Sequence, residues 1–108
     1  MAHFAELDHN NIVQRVIVIH NNVLISEDGS EKEHLGIEYC KNFYGGTWIQ
    51  TSYNDNFRKM YAGIGYKYIP EEDIFIPGNF SSGKEFDEWL YGEKLKDEQR
   101  ITINANNI

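Results

Sequence analysis

The stretch from Gly45 to Pro77, GGTWIQTSYNDNFRKMYAGIGYKYIPEEDIFIP, constrains the fold more than any other part of the chain. It sets Trp48, Tyr53, Phe57, Tyr61, Tyr66, Tyr68 and Phe75 among turn-forming Gly, Asn, Asp and Pro residues. Bulky rings broken at short intervals by turn residues favour strands and hairpins over a long helix. Thr47 to Tyr53 alternates Trp48, Gln50 and Ser52 with Thr47, Ile49, Thr51 and Tyr53, the period of two of a strand with one aromatic-anchored face. Tyr66 to Ile69, the loop Pro70 to Asp73, and Ile74 to Ile76 read as a last hairpin closed by Pro77. Phe57 to Ala62 is compatible with a strand paired with the previous one or an irregular segment laid over it, and is read as a strand or extended arm; Gly63-Ile64-Gly65 is read as a bulge or close backbone contact.

The preceding residues supply the rest of a core. His3 to Leu7, the turn Asp8-His9-Asn10-Asn11, and Ile12 to Ile19 predict an opening β-hairpin. Within it, Val16-Ile17-Val18-Ile19 is apolar on both sides of the pleat, as expected of a central strand covered on both faces. Val23-Leu24-Ile25 is an extra strand or a loop anchor. Ser30-Glu31-Lys32-Glu33 fits a capping box, which predicts a helix over Glu31 to Tyr44. Its apolar face comprises Leu35, Ile37, Tyr39, Cys40, Phe43 and Tyr44, and Gly45-Gly46 supplies the stop. After Gly78 the texture turns polar and charged. Lys84 to Arg100 predicts an amphipathic helix with Phe86, Trp89 and Leu90 as its stripe and Gly92 as a weak point, and Ile101 to Ile108 is a short edge strand or a loose tail. The expected fold is α+β: a small antiparallel β-sheet built from hairpins, one packed α-helix and a C-terminal helical tail. Residues 1–77 form the core domain, and 78–108 the linker, amphipathic helix and tail.

Composition narrows the functional classes. The chain has 108 residues and a formal net charge of −7, from 17 acidic against 10 basic groups. That balance repels a phosphate backbone at long range, so nucleic acid is not an expected partner. Arg58-Lys59, between Phe57 and Tyr61, is the one place where charge and stacking combine, and two cations in an acidic domain usually mark a solvated strand edge. A lone cysteine, Cys40, leaves no intrachain disulfide or cysteine metal cluster and suits a reducing compartment. Nothing in the first residues resembles a secretory signal, and no apolar run is long enough to span a bilayer, so membrane association is not expected. His3, His9, His20 and His34 show no HxH or HxxxH spacing, so neither a metal nor a cofactor is expected. Glu6, Asp8 and His9 are read as solvated turn residues, Glu71-Glu72-Asp73 as a hairpin tip, and Cys40 as an inert thiol on the apolar side of a helix.

What remains is a surplus of rings: two Trp, seven Tyr and six Phe are more than so small a core hides. Trp48 and Phe75 are expected inside. Tyr53, Tyr61 and Tyr66 are expected to line a shared surface. The interaction residues read from the sequence are Trp48, Tyr53, Phe57, Arg58, Lys59, Tyr61, Tyr66 and Trp89, since Trp and Tyr bring large area with few rotatable bonds.

The opening MAHFAELDHNNIVQRVIVI, the block WIQTSYN, and FRK with YAGIGY resemble a family of small uncharacterised proteins of tailed marine bacteriophages, including those of cyanobacteria, over Met1 to Pro77. The order of hairpin, tryptophan strand and terminal GxGYxY…FIP hairpin is more loosely similar to modules associated with phage tail fibres. Relatives usually continue from the last motif into a second proline and a Trp-rich extension, whereas here Pro77 leads into GNFSSGKEFDEWLYGEKL. The resemblance implies a phage origin and a non-enzymatic structural or accessory role on the capsid or tail, in the virion or the host cytoplasm. The expected partners are further copies of the chain or virion proteins. The alternative is a host-takeover factor that binds and inhibits a bacterial protein.

Overall fold

A computed structural model of the protein describes the backbone of residues 1–106 and the side chains of residues 1–97. The fold is α+β, and the chain divides into two compact units, Met1–Gly78 and Asn79–Ile108.

The first unit is organised around β1 (Ala2–Leu7), which lies between β2 (Val13–Ile19) and β3 (Thr47–Thr51) in an antiparallel sheet of order β2-β1-β3. β1 is the central strand and β2 an edge, the reverse of what the all-apolar run Val16 to Ile19 suggests. β1 fills the central place because small residues and large ones share its two faces: Ala2 and Phe4 point into one cluster, Ala5 and Leu7 into the other. The first cluster adds Ile19, Leu24, Cys40 and Trp48 beneath the helix α1 (Glu33–Tyr44), and the second adds Val13, Ala62 and Phe75. Each fully buried Phe, Leu or Val contributes about 1.5–3 kcal/mol, so these clusters carry most of the fold's stability.

The opening hairpin turns at residues 8–11, where Asn11 takes φ 63° and the Asp8 carboxylate accepts from Asn10 N at 2.8 Å and Ile12 N at 3.0 Å. The Ile12 hydrogen bond holds the Asp8 pKa below its ordinary value. A bulge between Glu6 and Leu7 lets β2 advance one extra residue. Val13 and Val16 therefore join the second cluster while Ile17 and Ile19 join the first. A short 3-10 turn, Asn21–Leu24, follows and buries Leu24.

Helix α1 starts at Glu33, two residues later than expected, and its N-cap Lys32 makes no side-chain capping bond. Ser30 instead bonds the Asp28 carboxylate through both its amide, 2.9 Å, and its hydroxyl, 2.6 Å. Hydroxyl bonds from Ser26 and then Ser30 pull the Asp28 pKa down to about 2. The capping arrangement appears elsewhere: Ser82 Oγ accepts from Glu85 N at 3.1 Å at the start of α2 (Gly83–Asn106), while the Glu85 carboxylate accepts from Ser81 N at 3.0 Å. In this second unit α2 runs through the expected weak point at Gly92 and on to Asn106, where a short edge strand or a loose tail was expected; residues 107–108 lie outside the described residues. Phe80, Phe86 and Trp89 pack together with centroids 5.2–6.3 Å apart, Phe86 stacked on Trp89 and Phe80 tilted against both. Among the described residues no helix is long and apolar enough to cross a membrane.

The last hairpin, β4 (Lys67–Ile69) with β5 (Ile74–Ile76), forms as expected. It is stitched to the start of β2 by Val13 N to Tyr66 O at 2.7 Å, Gly65 N to Val13 O at 2.9 Å and Tyr68 N to Asn11 O at 2.9 Å. Gly65, at φ 88°, brings its carbonyl against Gly78, where any Cβ would meet that oxygen at 2.1 Å. Phe57 to Ala62 forms no strand: Arg58 and Lys59 adopt φ of 54° and 71°, which no extended strand accommodates.

Two consequences are measurable. A Cβ at Gly36 would lie 2.2 Å from Phe4 Cζ, on a fully buried ring, so overpacking outweighs the helix propensity gained. Gly36→Ala is expected to lose about 1–3 kcal/mol in urea unfolding, whereas Gly92→Ala, with open space around it, gains about 0.5–1 kcal/mol if α2 unfolds with the rest. Burial pushes the Cys40 thiol up to about 11. Iodoacetamide at neutral pH is expected to leave Cys40 unmodified in the native protein and to alkylate it once urea unfolds the chain.

Candidate functional site

β3 is the second edge of the sheet, and the outer main-chain groups of Gln50 at its middle are met by side chains. Gln50 N donates to Glu33 Oε2 at 2.9 Å, and Gln50 O accepts from Arg58 Nη1 at 2.9 Å. The same guanidinium forks onto Glu33, with Nη1 to Oε2 at 3.0 Å and Nη2 to Oε1 at 3.1 Å, while Nε donates to Asp73 Oδ1 at 2.7 Å. Asp73, at the β4-β5 turn, also accepts from the Tyr68 hydroxyl. Burial alone disfavours the Arg58 charge, but its bonds to Asp73 and Glu33 outweigh that and hold its pKa above the ordinary value. The Arg58 bond, followed by that of Tyr68, holds Asp73 below the usual carboxylate range. Arg58 is therefore an interior tie between helix, strand edge and hairpin, with its side chain only 15% exposed. The solvated strand edge expected for it is corrected.

That tie fixes residues 52–62, which carry no regular secondary structure. Asp55 Oδ1 accepts from Tyr61 N at 2.6 Å, Ser52 Oγ from Asn56 N at 2.9 Å, and Thr51 Oγ1 from the buried amide of Ala62 at 2.9 Å. The Arg58 carbonyl accepts from both Met60 N and Phe75 N, at 2.8 and 3.0 Å. Asp55, Arg58 and Lys59 all have φ between 54° and 71°, each a cost of order 1–3 kcal/mol that only such over-determination sustains.

The loop gathers rings from distant parts of the chain. His3 stacks on Tyr53 at 5.4 Å and meets Tyr61 edge-on at 5.7 Å, and Tyr53 meets Tyr61 edge-on at 5.5 Å. Tyr53 is 67% and Phe57 41% exposed. Desolvation, then the N-terminal ammonium, lowers the His3 pKa, and desolvation raises that of Tyr61. Two clefts adjoin the loop and share Gln50 and Phe57. One, of about 300 Å³, is completed by Glu33, Arg58 and Asp73; the other, of about 200 Å³, takes in His3, Thr51, Tyr53 and Asn56.

Of the residues singled out from sequence, Tyr53, Phe57 and Tyr61 are thus brought together on one rim, and Lys59 stands exposed in the same loop. Trp48 is only 3% exposed: its Nε1 donates to Gly45 O at 2.6 Å and its ring lies under the Arg15 guanidinium, so it presents no face to a partner. Tyr66 is half-buried against the second cluster, and Trp89 belongs to the other unit, half-exposed beside Phe80. His3, Glu33, Gln50 and Asp73 escaped the sequence reading because each partners a residue far away in the chain. Among the described residues no three His, Cys, Asp or Glu side chains are grouped to hold a metal ion. No protein-family model matches the chain, and no curated protein or solved structure matches it.

Removing the fork leaves Glu33 facing a strand edge with no cation, so Arg58→Met is expected to cost about 2–4 kcal/mol. The acid limb carries a second signature. A depressed carboxylate stabilises the fold above its unfolded pKa of about 3.9, and that contribution vanishes as pH falls through the lower folded value. Urea midpoints measured from about pH 6 down to about pH 2.5 should therefore decline, and less steeply in Asp73→Asn below about pH 5.

Proposed function

We propose that this protein is a non-enzymatic contact module, a bacteriophage structural or accessory protein that docks onto another protein through the rim formed by His3, Tyr53, Phe57 and Tyr61. The observation that carries this reading is the pair of exposed rings, Tyr53 and Phe57, on a loop whose backbone is fastened at both ends and in the middle, with Tyr53 backed by the half-buried rings of Tyr61 and of His3 on β1. Rings held this way lose little freedom on binding, which is the economy that makes Tyr a recurrent hot-spot residue. The ionised groups nearby support a structural rather than a chemical task, since Arg58, Glu33 and Asp73 satisfy one another. The phage assignment rests on the resemblance of Met1 to Pro77, and a place on the capsid or tail follows from it.

Mass spectrometry of purified virions of the encoding phage tests the reading. The protein is expected at a fixed copy number, reduced about tenfold or more by Tyr53→Ala with Phe57→Ala, since each hot-spot ring is worth about 2 kcal/mol. Absence from particles, together with one stoichiometric host protein captured from lysate, transfers the role to a host-takeover factor, a reading that the −7 charge and small size suit equally. Absence from particles with no host partner overturns both.

A further inference from the structure

The two edges of the sheet are treated differently. At β3 the outward groups of Gln50 are met by Glu33 and Arg58. Because Gln50 faces Phe4 and turns its own main chain outward, Phe4 bonds the other neighbour, Ile17, and alternation then turns Val16 and Val18 outward along β2. The β4-β5 hairpin reaches only the start of this edge, through Asn11 and Val13. Among the described residues nothing pairs with the outer amides and carbonyls of Val16 and Val18, and the Val18 side chain is 49% exposed. The bulge and the hairpin protect only the start of this edge: Val16 to Ile19 holds no proline and no charge, and the neighbouring Arg15 is drawn back onto Glu6 at 2.9 Å and over the rings of Tyr44 and Trp48. An edge strand with the composition of a buried central strand is an edge built to be covered.

We infer that this edge pairs with the same edge of a second copy of the chain, antiparallel about a two-fold axis at Ile17. The register is self-complementary. Centring on Ile17 sets Val16 opposite Val18 of the partner subunit and Val18 opposite the partner's Val16, the outward pairs that exchange hydrogen bonds. Ile17 faces its own symmetry mate in a closely spaced non-bonded pair. Arg15 falls opposite an isoleucine, so no like charges meet. Ile17 packs against the first cluster and Val16 against the second, so both cores continue across the axis. A five-residue pairing is small, which places the dimer among weak assemblies of micromolar affinity. With −7 on each copy, association strengthens as salt rises. This inference stands apart from the docking rim, and a monomer would leave that rim intact.

Sedimentation equilibrium of the full chain from about 1 to about 500 µM tests it, a range that brackets micromolar dimers. The expected result is a monomer–dimer equilibrium that tightens with sodium chloride and weakens about tenfold or more in Val18→Lys, whose circular dichroism stays native because the side chain is exposed. Oxidation gives a register test in the unperturbed strand. Ile17→Cys is expected to cross-link two copies, since Cα atoms about 4.5 Å apart suit a disulfide, while Val16→Cys, about 7–8 Å from its mate, is not. A monomer at every concentration, a dimer unmoved by Val18→Lys, or a dimer in which Ile17→Cys stays reduced overturns the inference.

Discussion

The forked ion pair between Arg58 and Glu33 is the constraint on which the first unit's irregular half depends. It joins a helix start, a strand edge, a loop and, through Asp73, a hairpin turn, which are separated by up to 40 positions along the chain. An exposed pair of this type contributes little, but a bidentate Arg–carboxylate contact that also satisfies main-chain groups of an edge strand works in a lower dielectric and with fixed geometry. It serves two purposes at once. It occupies the outer amide and carbonyl of Gln50 on β3, and it holds Arg58 and Lys59 in left-handed backbone that the loop's own preferences oppose. The positions of Phe57, Tyr53 and Tyr61 follow from that second effect.

Local sequence chemistry was a good guide wherever the deciding contacts are near in sequence. The Asp8 to Asn11 turn, the Trp48 strand, the Pro70 to Asp73 hairpin and the buried Cys40 all follow from residues within a few positions of one another. Glu33 shows where that guide fails. Ser30 and Glu33 have the spacing of a capping box, yet Asp28 offers Ser30 a tighter local turn, and a cation 25 residues away offers Glu33 a stronger partner than a backbone amide. The arm 57–62 failed for the same reason, since an aromatic and basic string is compatible with a strand until the Arg58 side chain is given carboxylates to bend toward. Trp48 was rightly expected in the core, and its simultaneous place among contact residues did not survive burial at 3%.

The misplacement of β2 is of another kind. Val16 to Ile19 looks central because it is apolar on both faces, and it is an edge because β1, richer in alanine, admits closer packing on both sides. Periodicity reports whether a surface is covered, not by which chain. Read that way, the pattern and the topology agree once a second copy supplies the missing neighbour, and the edge that lacks side-chain protection is the one whose sequence is self-complementary about Ile17.

Pairing at β2 has a geometric consequence for the rim at β3, because the two lie on opposite edges of the same three strands. A two-fold dimer orders the strands β3-β1-β2-β2-β1-β3, so the β3 edges stand five inter-strand spacings apart, about 24 Å at about 4.8 Å each. Each end then presents one copy of the His3, Tyr53 and Tyr61 cluster, related by the two-fold axis. For a partner displayed in repeated copies, as on a particle surface, engagement of one end raises the effective concentration at the other, and two weak aromatic contacts gain about 10²–10⁴ over one. Neither edge needs high affinity alone: a micromolar pairing at β2 and a small rim at β3 reinforce each other through mass action, because any partner that spans both ends binds the dimer in preference to the monomer.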